Sequence, residues 1–393
     1  MKIGETIYLD YQATTPPDKR VVAAMAQYFG EAFGNPHASD NLIGWQAAQA
    51  VDDAATRVGK LLGADTDEIV FTSGATEANN LALLGLGRRA SRGMRRRILV
   101  SAIEHKSVLE VCRVLREQHG YRVESVPVDA AGIVDIVALK NALASDVLAV
   151  SINAVNNEIG TVQDIPALSK VIKATGALFH CDAAQAPCAI DLRNVCDFVD
   201  LLSLSSHKMY GPQGIGALYI RRELQDEIEP LIYGGGQQRN LRSGTVPLAL
   251  CVGMGIAATL LVEAEEERVL LRRRRDRFVR HLTELPWPVV LNGPDSRQRH
   301  PGNANVRFDG FDAHELLSAL QPRIAASMGS ACTSGIAQPS HVLRAIGLTG
   351  EEAEASIRFS FGRNTTDAEL DEAVNLVEKA LAALATGIAR RLA

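Results

Sequence analysis

The sequence predicts an α/β protein with a mostly parallel, doubly wound sheet, followed by a smaller α+β domain. Short apolar runs alternate with helical patterns over the first half of the chain, which is typical of βαβ units. Several polar side chains come just after predicted strand ends, at the ligand-binding edge of such sheets. The 393 residues are enough for two domains. We place the large domain at 15–260 and the small domain at 1–14 plus 261–393.

The composition is ordinary for a globular protein and argues against several classes of function. Hydrophobic residues make up 47% and charged residues 22% of the chain. A net charge of −5 gives no reason to expect nucleic-acid or membrane-surface binding. The apolar run 246–262 is interrupted by Pro247 and two glycines, so it predicts a buried helix with proline in its first turn. The N-terminal segment lacks the apolar core of a signal peptide, which predicts a cytoplasmic protein.

The elements of the large domain follow from apolar runs and the turn residues between them. Helices are expected from about Asp18 and Trp45. The predicted strands are 68–71, 97–101, 147–152, 177–181, 198–204 and 217–220, with a crossing hairpin at 121–134. After the first strand, Ser73 to Thr76 place small residues and free N–H groups at a helix N-terminus. That pattern fits a phosphate site, but taken alone it favours an ordinary capping box at Ser73.

Two helices are predicted in the second half of the chain. The segment 263–282 contains a run of arginines, which at helical spacing predicts a solvated face with Glu265–Arg268 and Asp276–Arg280 pairs. The last helix is predicted from a capping box formed by Thr366 and Glu369.

Six polar side chains share a position just past predicted strand ends, and this shared position is a stronger functional signal than any single motif. They are Thr76, His105, Asn157, Asp182, Gln185 and Lys208. In a doubly wound sheet the ligand lies outside the carboxyl ends of the strands. The six side chains are therefore expected on one rim of a ligand site.

Lys208 lies between an apolar strand and the glycines of GPQGIG (211–216). A lysine in that place is paired, or desolvation lowers its pKa and makes a neutral amine available for a Schiff base with pyridoxal phosphate (PLP). The alternative is a lysine that extends from a strand end to solvent. GPQGIG follows the lysine rather than the first strand, so it does not indicate a dinucleotide site.

Asp182 and His105 can supply the other groups that PLP chemistry needs. A carboxylate at a strand end, as in HCDAAQAP (180–187), can keep the pyridine nitrogen protonated. An imidazole at the start of a helix can stack on the ring and transfer protons near neutral pH. Each residue alone also fits a role in capping a helix. The combination with Lys208 favours the functional reading.

The six cysteines form no CxxC pair, so no zinc or thioredoxin-type site is predicted, and no metal ligands are assigned. Cys112, Cys181 and Cys251 lie in apolar runs and are expected in the core. Cys332 lies in SMGSACTSG (327–335), whose small and polar residues predict an accessible loop. A thiol there is expected to be a nucleophile, and the alternative is a tolerated surface cysteine.

Nearly the whole chain, about residues 7 to 385, resembles the cysteine desulfurases of the NifS/IscS-like group, within the class V, fold type I PLP enzymes. The Ser-Ser-His-Lys phrase and the SACTS loop together are the most specific part of the resemblance. The stretches that carry it are YLDYQATTP, FGNPH, TSGATEANN, EHKSV, VNNEIGTVQD, HCDAAQAP, SLSSHKMYGPQGIGALY, RSGTVP, SACTS and SIRFSFGR.

The resemblance implies a role for each site residue. Lys208 would hold PLP and later move the Cα proton of the substrate, and Cys332 would attack the substrate sulfur. Asn157 and Arg358 would bind the substrate carboxylate. The residues implied in cofactor binding are Ala75, Thr76, His105, Asp182, Gln185, Ser205, His207 and Lys208, with Thr245 reaching in from a second subunit.

The implied activity converts L-cysteine to L-alanine in a homodimer, with a persulfide on Cys332 that passes sulfur to an acceptor or iron–sulfur scaffold protein. Cys332 could also contact a cluster transiently. The alternatives are a selenocysteine lyase, another class V PLP enzyme, or a non-catalytic assembly partner. The chain ends at GIARRLA, which leaves four pathways open: nitrogenase cluster supply, general iron–sulfur assembly, tRNA thiolation and DNA sulfur modification.

Overall fold

The structure is a computed structural model that describes residues 1–90, 93–328 and 339–392. Two short strands, β1 (Lys2–Ile3) and β2 (Thr6–Tyr8), precede a central seven-stranded sheet. The strands of that sheet are β3 (Ile69–Thr72), β4 (Arg97–Ser101), β5 (Arg122–Val126), β6 (Val147–Ser151), β7 (Leu178–Asp182), β8 (Leu201–Ser205) and β9 (Gly216–Ile220).

The central sheet has the order β3-β9-β8-β7-β6-β4-β5. All neighbouring pairs from β8 to β5 are parallel, and β9 runs antiparallel to both β8 and β3. The described helices before residue 260 are α1 (Lys19–Ala26), α2 (Leu42–Leu62), α3 (Ala75–Asn80), α4 (Leu86–Arg89), α5 (Lys106–His119), α6 (Ile136–Ala142), α7 (Ile165–Lys173) and α8 (Leu248–Thr259). This arrangement confirms the predicted mostly parallel α/β sheet.

Apolar cores lie on both faces of the central sheet. Ile69 and Phe71 of β3 belong to one buried cluster, and Val70 belongs to another. Because successive side chains of a strand point to opposite faces, the two clusters are on opposite sides of the sheet. Burial on both faces explains why the inner strands are continuous apolar runs in the sequence.

The remaining strands form two small sheets. The antiparallel sheet has the order β10 (Val289–Leu291), β11 (Asn303–Phe308) and β13 (Ser356–Ser360), while β12 (Ile324–Ala325) pairs with β2. The helices of this part are α9 (Glu265–Thr283), α10 (Ala313–Leu320), α11 (His341–Ala345), α12 (Gly350–Glu354) and α13 (Asp367–Leu392). A separate apolar cluster joins these sheets to α9, α10 and α13.

Two local predictions for the large sheet are wrong. The segment 121–134 is not a hairpin: Arg122–Val126 is the parallel edge strand β5, and one antiparallel bridge joins Val128 to Val134. The expected capping box at Ser73 does not form either. Gly74 is the N-cap of α3, and the Ser73 backbone N–H donates to Glu77 Oε2 over 2.7 Å.

The arginine-rich helix α9 is only partly solvated, so that prediction is wrong in part. Arg268 does lie 3.3 Å from Glu265. However, Arg268 and Arg275 are buried, and Asp276 pairs with Arg275. Arg275 donates to the carbonyl oxygen of His300 over 3.0 Å, which satisfies its buried guanidinium.

Helix α8 confirms the buried helix predicted after Thr245, although Pro247 is its N-cap rather than a first-turn residue. Across the described residues, every helix is too short or too polar to cross a bilayer. The capping box of the last helix is confirmed, because Thr366 and Glu369 exchange hydrogen bonds of 2.8 and 3.3 Å.

Candidate active site

A cavity of about 510 Å³ opens where the parallel strands of the central sheet end. Its walls come from the loops after β3, β4, β6, β7 and β8, which is where a doubly wound sheet binds its ligand. The sequence-predicted residues that line it are Ala75, Thr76, His105, Asn157, Asp182, Gln185, Ser205, His207 and Lys208.

Lys208 ends a short helical turn that follows β8 directly. Its Nζ donates to the carbonyl oxygen of Ala13 over 2.8 Å and to that of Gln12. Burial and then the positive charge of Arg358 lower the pKa of the amine to about 8. A neutral amine is therefore accessible near physiological pH, as the sequence predicts.

Asp182 is the last residue of β7 and is buried. Its Oδ2 accepts a hydrogen bond of 2.8 Å from Asn79 Nδ2, and its Oδ1 accepts one of 2.9 Å from the Ala184 backbone N–H. Two donors, one from helix α3 and one from the turn after β7, therefore fix the carboxylate at the floor of the cavity.

His180 lies two residues before Asp182 in β7 and is fully buried. Its Nδ1 is 2.8 Å from Ser151 Oγ on β6, and its Nε2 is 3.2 Å from Ser203 Oγ on β8. Burial lowers its pKa to about 4, so the imidazole is neutral at physiological pH. The side chain thus joins three neighbouring strands below the cavity.

His105 is the N-cap of α5, and its ring is exposed to the cavity. Its Nδ1 accepts from the Ser107 backbone N–H over 3.1 Å and lies 2.8 Å from Ser107 Oγ. Desolvation of the ring by the walls of the cavity lowers the pKa of the imidazole, and the negative charge of Asp182 opposes this shift.

The opposite end of the cavity is lined by groups that can bind a phosphate. Ala75 and Thr76 begin α3, whose helix dipole and free N–H groups favour anions, and Ser205 and His207 face them. The close approach of these loops requires glycine at 216, because a Cβ there would lie 2.6 Å from the Cα of Gly74.

Arg358 lies beyond Asn157, outside the cavity lining, and comes from β13 of the small sheet. Its Nη1 donates to the Asn157 carbonyl oxygen over 2.8 Å. Its Nη2 donates to Asp10 Oδ1 and to Ser327 Oγ, each over 2.7 Å. The guanidinium is therefore fixed beside the cavity by three segments that are far apart in the sequence.

The structure does not bring Thr245 into the cavity. Thr245 is exposed and is not part of the lining. Cys332 lies outside the described residues, whereas its flanking positions Ser327 and Ser340 are described. Ser340 Oγ donates to the buried Glu158 over 2.5 Å. Cys112, Cys181 and Cys251 are buried, as predicted.

The residues present fit PLP. The cavity places an amine with a lowered pKa, a buried carboxylate and a phosphate-type donor set around one space, in the arrangement that PLP enzymes use. The family model described as aminotransferase class-V matches residues 7–373.

The chain belongs to the class-V aminotransferase family.

Individual relatives and solved structures show which members of this family the chain resembles. Cysteine desulfurase IscS of Rickettsia rickettsii (strain Iowa) is 46% identical over 372 residues, which are 94% of this chain and 90% of the relative. The solved structure of a NifS-like protein has a TM-score of 0.88 at 33% identity and covers 96% of this chain and 99% of its own. SspA in complex with cysteine has a TM-score of 0.79 at 35% identity, with 92% and 100% covered.

These likenesses confirm the fold and the resemblance to NifS/IscS-like cysteine desulfurases predicted from the sequence. Class-V aminotransferases are PLP enzymes, so the chain is a PLP-dependent enzyme of this family. The roles of the individual residues remain predictions from the sequence and the geometry.

The sequence reasoning missed three groups that hold the site together: Asn79, Ser107 and Asp10. Asn79 and Ser107 lie inside or beside helices, where a polar residue carries no pattern that distinguishes it from a solvated one. All three stand in stretches that resemble the family, YLDYQATTP, TSGATEANN and EHKSV, but the contact of Asp10 with Arg358 spans 348 residues of sequence.

Proposed function

We propose that the protein removes sulfur from L-cysteine, releasing L-alanine and leaving the sulfur on Cys332 as a persulfide for an acceptor protein. One observation carries the proposal: the amine of Lys208, the carboxylate of Asp182 and the imidazole of His105 converge on one cavity. The relative from R. rickettsii bears the name cysteine desulfurase, and the SspA structure is of a complex with cysteine.

The cofactor would be held at both of its ends. Lys208 would bind it covalently, with Asp182 at the ring nitrogen, Gln185 at the ring hydroxyl and His105 over the ring. The phosphate would be bound by Ala75, Thr76, Ser205 and His207, with Thr245 from a second subunit. When bound, PLP withdraws electrons from the substrate Cα, which weakens the bonds to that carbon.

The remaining steps belong to side chains of the protein. Arg358 and Asn157 would bind the substrate carboxylate, and Lys208, with its pKa of about 8, can take the Cα proton. The thiolate of Cys332 would attack the substrate sulfur, so that an S–S bond forms as the C–S bond breaks. The electron pair of the broken C–S bond would take up a proton at Cβ, and Cα would regain the proton that Lys208 removed, so that the product leaves as alanine.

A homodimer would complete the phosphate site. Exposed apolar side chains cluster before and at the start of α2: Phe29, Phe33, Leu42, Ile43 and Trp45 are 53–69% exposed. Helices α2 and α8 run in the same direction, because Gly255 contacts Ala54 and Thr259 contacts Arg57. Thr245, three residues before α8, is therefore expected at the same end of the helix pair as the start of α2, where a second copy of the chain would cover the exposed apolar side chains.

We place the enzyme in the cytoplasm, since the described cysteines are free thiols. Its acceptor would be an iron–sulfur scaffold or another sulfur-accepting protein, which a transfer assay with labelled sulfur would identify.

The test of the proposed function is Cys332→Ala in the PLP-loaded enzyme. This variant is expected to keep the cofactor absorbance and to stop alanine release from L-cysteine. Cys112→Ala, which removes a buried thiol, is the matched control and should keep turnover. Full cysteine turnover by Cys332→Ala would overturn the persulfide step, and turnover of selenocysteine alone would assign a lyase instead.

A further inference from the structure

We infer that Asn79 and Ser107 hold His105 as a neutral imidazole with its proton on Nε2, so that His105 offers the cofactor site a hydrogen-bond donor and not a base. The identity of the ligand in this site rests on the proposed function. Asn79 and Ser107 are positioning residues, because they act through His105 and Asp182.

The tautomer follows from the partners of Nδ1. The Ser107 backbone N–H lies 3.1 Å from His105 Nδ1 and can only donate. Nδ1 must then accept, so it carries no proton. In a neutral imidazole the proton is therefore on Nε2.

Asn79 fixes the direction of the second hydrogen bond to Nδ1. Its Nδ2 donates to Asp182 Oδ2 over 2.8 Å and to Ser107 Oγ over 2.9 Å. The orientation of the amide is unambiguous, because a carboxylate accepts and does not donate. Since the Ser107 hydroxyl oxygen accepts a hydrogen bond from Asn79, its own O–H is free to donate to His105 Nδ1, 2.8 Å away.

Burial makes this arrangement persistent. Asn79 is 0% exposed, so water does not compete for its two donors. An imidazolium would place a proton on Nδ1, against two groups that already donate to it. Protonation of His105 would thus break both hydrogen bonds and turn the Ser107 hydroxyl away.

The charged groups around His105 favour the same state. The desolvation of the ring inside the cavity lowers the pKa of the imidazole, and Lys208, His341 and Lys106 lower it further, while Asp182 raises it. This direction and the two donors at Nδ1 both favour the neutral imidazole, so Lys208 is left as the group that moves the Cα proton. This differs from the proton-transfer role that the sequence predicts for His105.

The test is nitrogen NMR of the PLP-loaded enzyme with ¹⁵N-labelled histidine. His105→Gln assigns the signal among the nine histidines. We expect an unprotonated Nδ1 and a protonated Nε2 from about pH 6 to pH 9. An ordinary histidine changes from imidazolium to neutral imidazole near the lower end of this range. A protonated Nδ1, or an imidazolium in the middle of this range, would overturn the inference.

Variants then test the positioning residues. Ser107→Ala removes a donor to the neutral ring, so the midpoint of the His105 titration should shift upward, with a smaller upward shift in Asn79→Ala. Asn80→Ala, on the same helix but outside the cavity lining, is the matched control and should leave the midpoint unchanged. Equal midpoints in all four proteins would refute the role of Asn79 and Ser107.

These spectra need no substrate. A failure of cysteine turnover would therefore bear on the proposed function alone, and a changed tautomer would bear on this inference alone.

Discussion

The two ends of the active-site cavity are built from different parts of the molecule. On the cofactor side, His105, Asp182 and Lys208 lie at or just after the ends of β4, β7 and β8 of a single sheet. Beside the cavity, where the substrate carboxylate is proposed to bind, Arg358 comes from β13 and is held by Asp10, Asn157 and Ser327. The cofactor side is set by the register of one sheet, and the position of Arg358 by the junction at which β13 meets the N-terminal segment and the loop after β6.

This difference separates two kinds of failure. Substitutions on the cofactor side should release the cofactor or stop cysteine turnover. Substitutions at the junction around Arg358 should weaken substrate binding and leave the cofactor in place.

The largest effect is expected from Lys208→Ala. Removing the amine deletes the covalent cofactor bond and the group that moves the Cα proton, so cysteine turnover should fall by about 10²–10⁴-fold or more. The folded state should persist, because within the described part of the chain the amine donates to two backbone carbonyls and to no side chain. Absorbance spectra and circular dichroism check both points, and unfolding of the variant would contradict the assignment.

Arg358→Lys should raise KM for cysteine and spare the cofactor. Lysine keeps the charge but loses the planar pair of donors, so KM should rise about 10–100-fold with little change in cofactor absorbance. Loss of PLP from this variant would show that the two ends are not separable.

The pH dependence of cofactor capture should report Lys208. Only the neutral amine attacks the aldehyde, and its lowered pKa of about 8 means that this form is lost as pH falls. The rate at which the apo-enzyme binds PLP should therefore drop about fivefold between pH 8 and pH 7.

Nα-acetyllysine provides the comparison for that experiment. Its amine has the ordinary lysine pKa of 10.5, so its rate of reaction with PLP should continue to rise above pH 9. Stopped-flow absorbance gives both profiles. Identical profiles for the enzyme and the free amine would contradict the lowered pKa. Arg358→Gln should move the enzyme's midpoint upward, since a positive charge is removed.

The smallest effect is expected at Glu158. This residue accepts from Ser340, and its carbonyl oxygen accepts from Asn303 over 3.0 Å. Glu158→Ala should lower the free energy of unfolding by about 1–3 kcal/mol and raise KM severalfold, because it leaves Ser340 without its acceptor. Glu158→Gln keeps an acceptor oxygen and should restore most of both. Urea denaturation and steady-state kinetics measure these changes, and equal losses in the two variants would point to charge instead.

The sequence was sufficient for the cofactor end and insufficient for the junction, for physical reasons. Inner strands are buried on both faces and appear as apolar runs, so the polar residues after them can be placed on one rim. The edge strand β5 has a mostly exposed or half-buried pattern, and it was mistaken for a hairpin. Contacts such as Asp10–Arg358 join residues far apart in sequence, and no local pattern encodes them.

The predicted solvated face of α9 is wrong in part for a related reason, because the spacing of charges along a helix does not show which of them are buried. The spacing of charges suggests a solvated face, but Arg275 is 1% exposed and donates to backbone carbonyls and Ser296. Those acceptors belong to a loop beyond β10, so only the tertiary structure shows that this arginine is an internal support.

The hydrogen bonds of His180 restrict the substitutions that the central sheet can accept. It ties Ser151 and Ser203 across three strands and shares a strand face with Asp182, two positions on. A slip of one residue in β7 would turn both side chains to the other face and leave two serines unpaired. Substitutions in the surrounding helices can therefore leave the Asp182 carboxylate in place. Substitutions at Ser151, His180 or Ser203 would instead disturb the strand register that positions it.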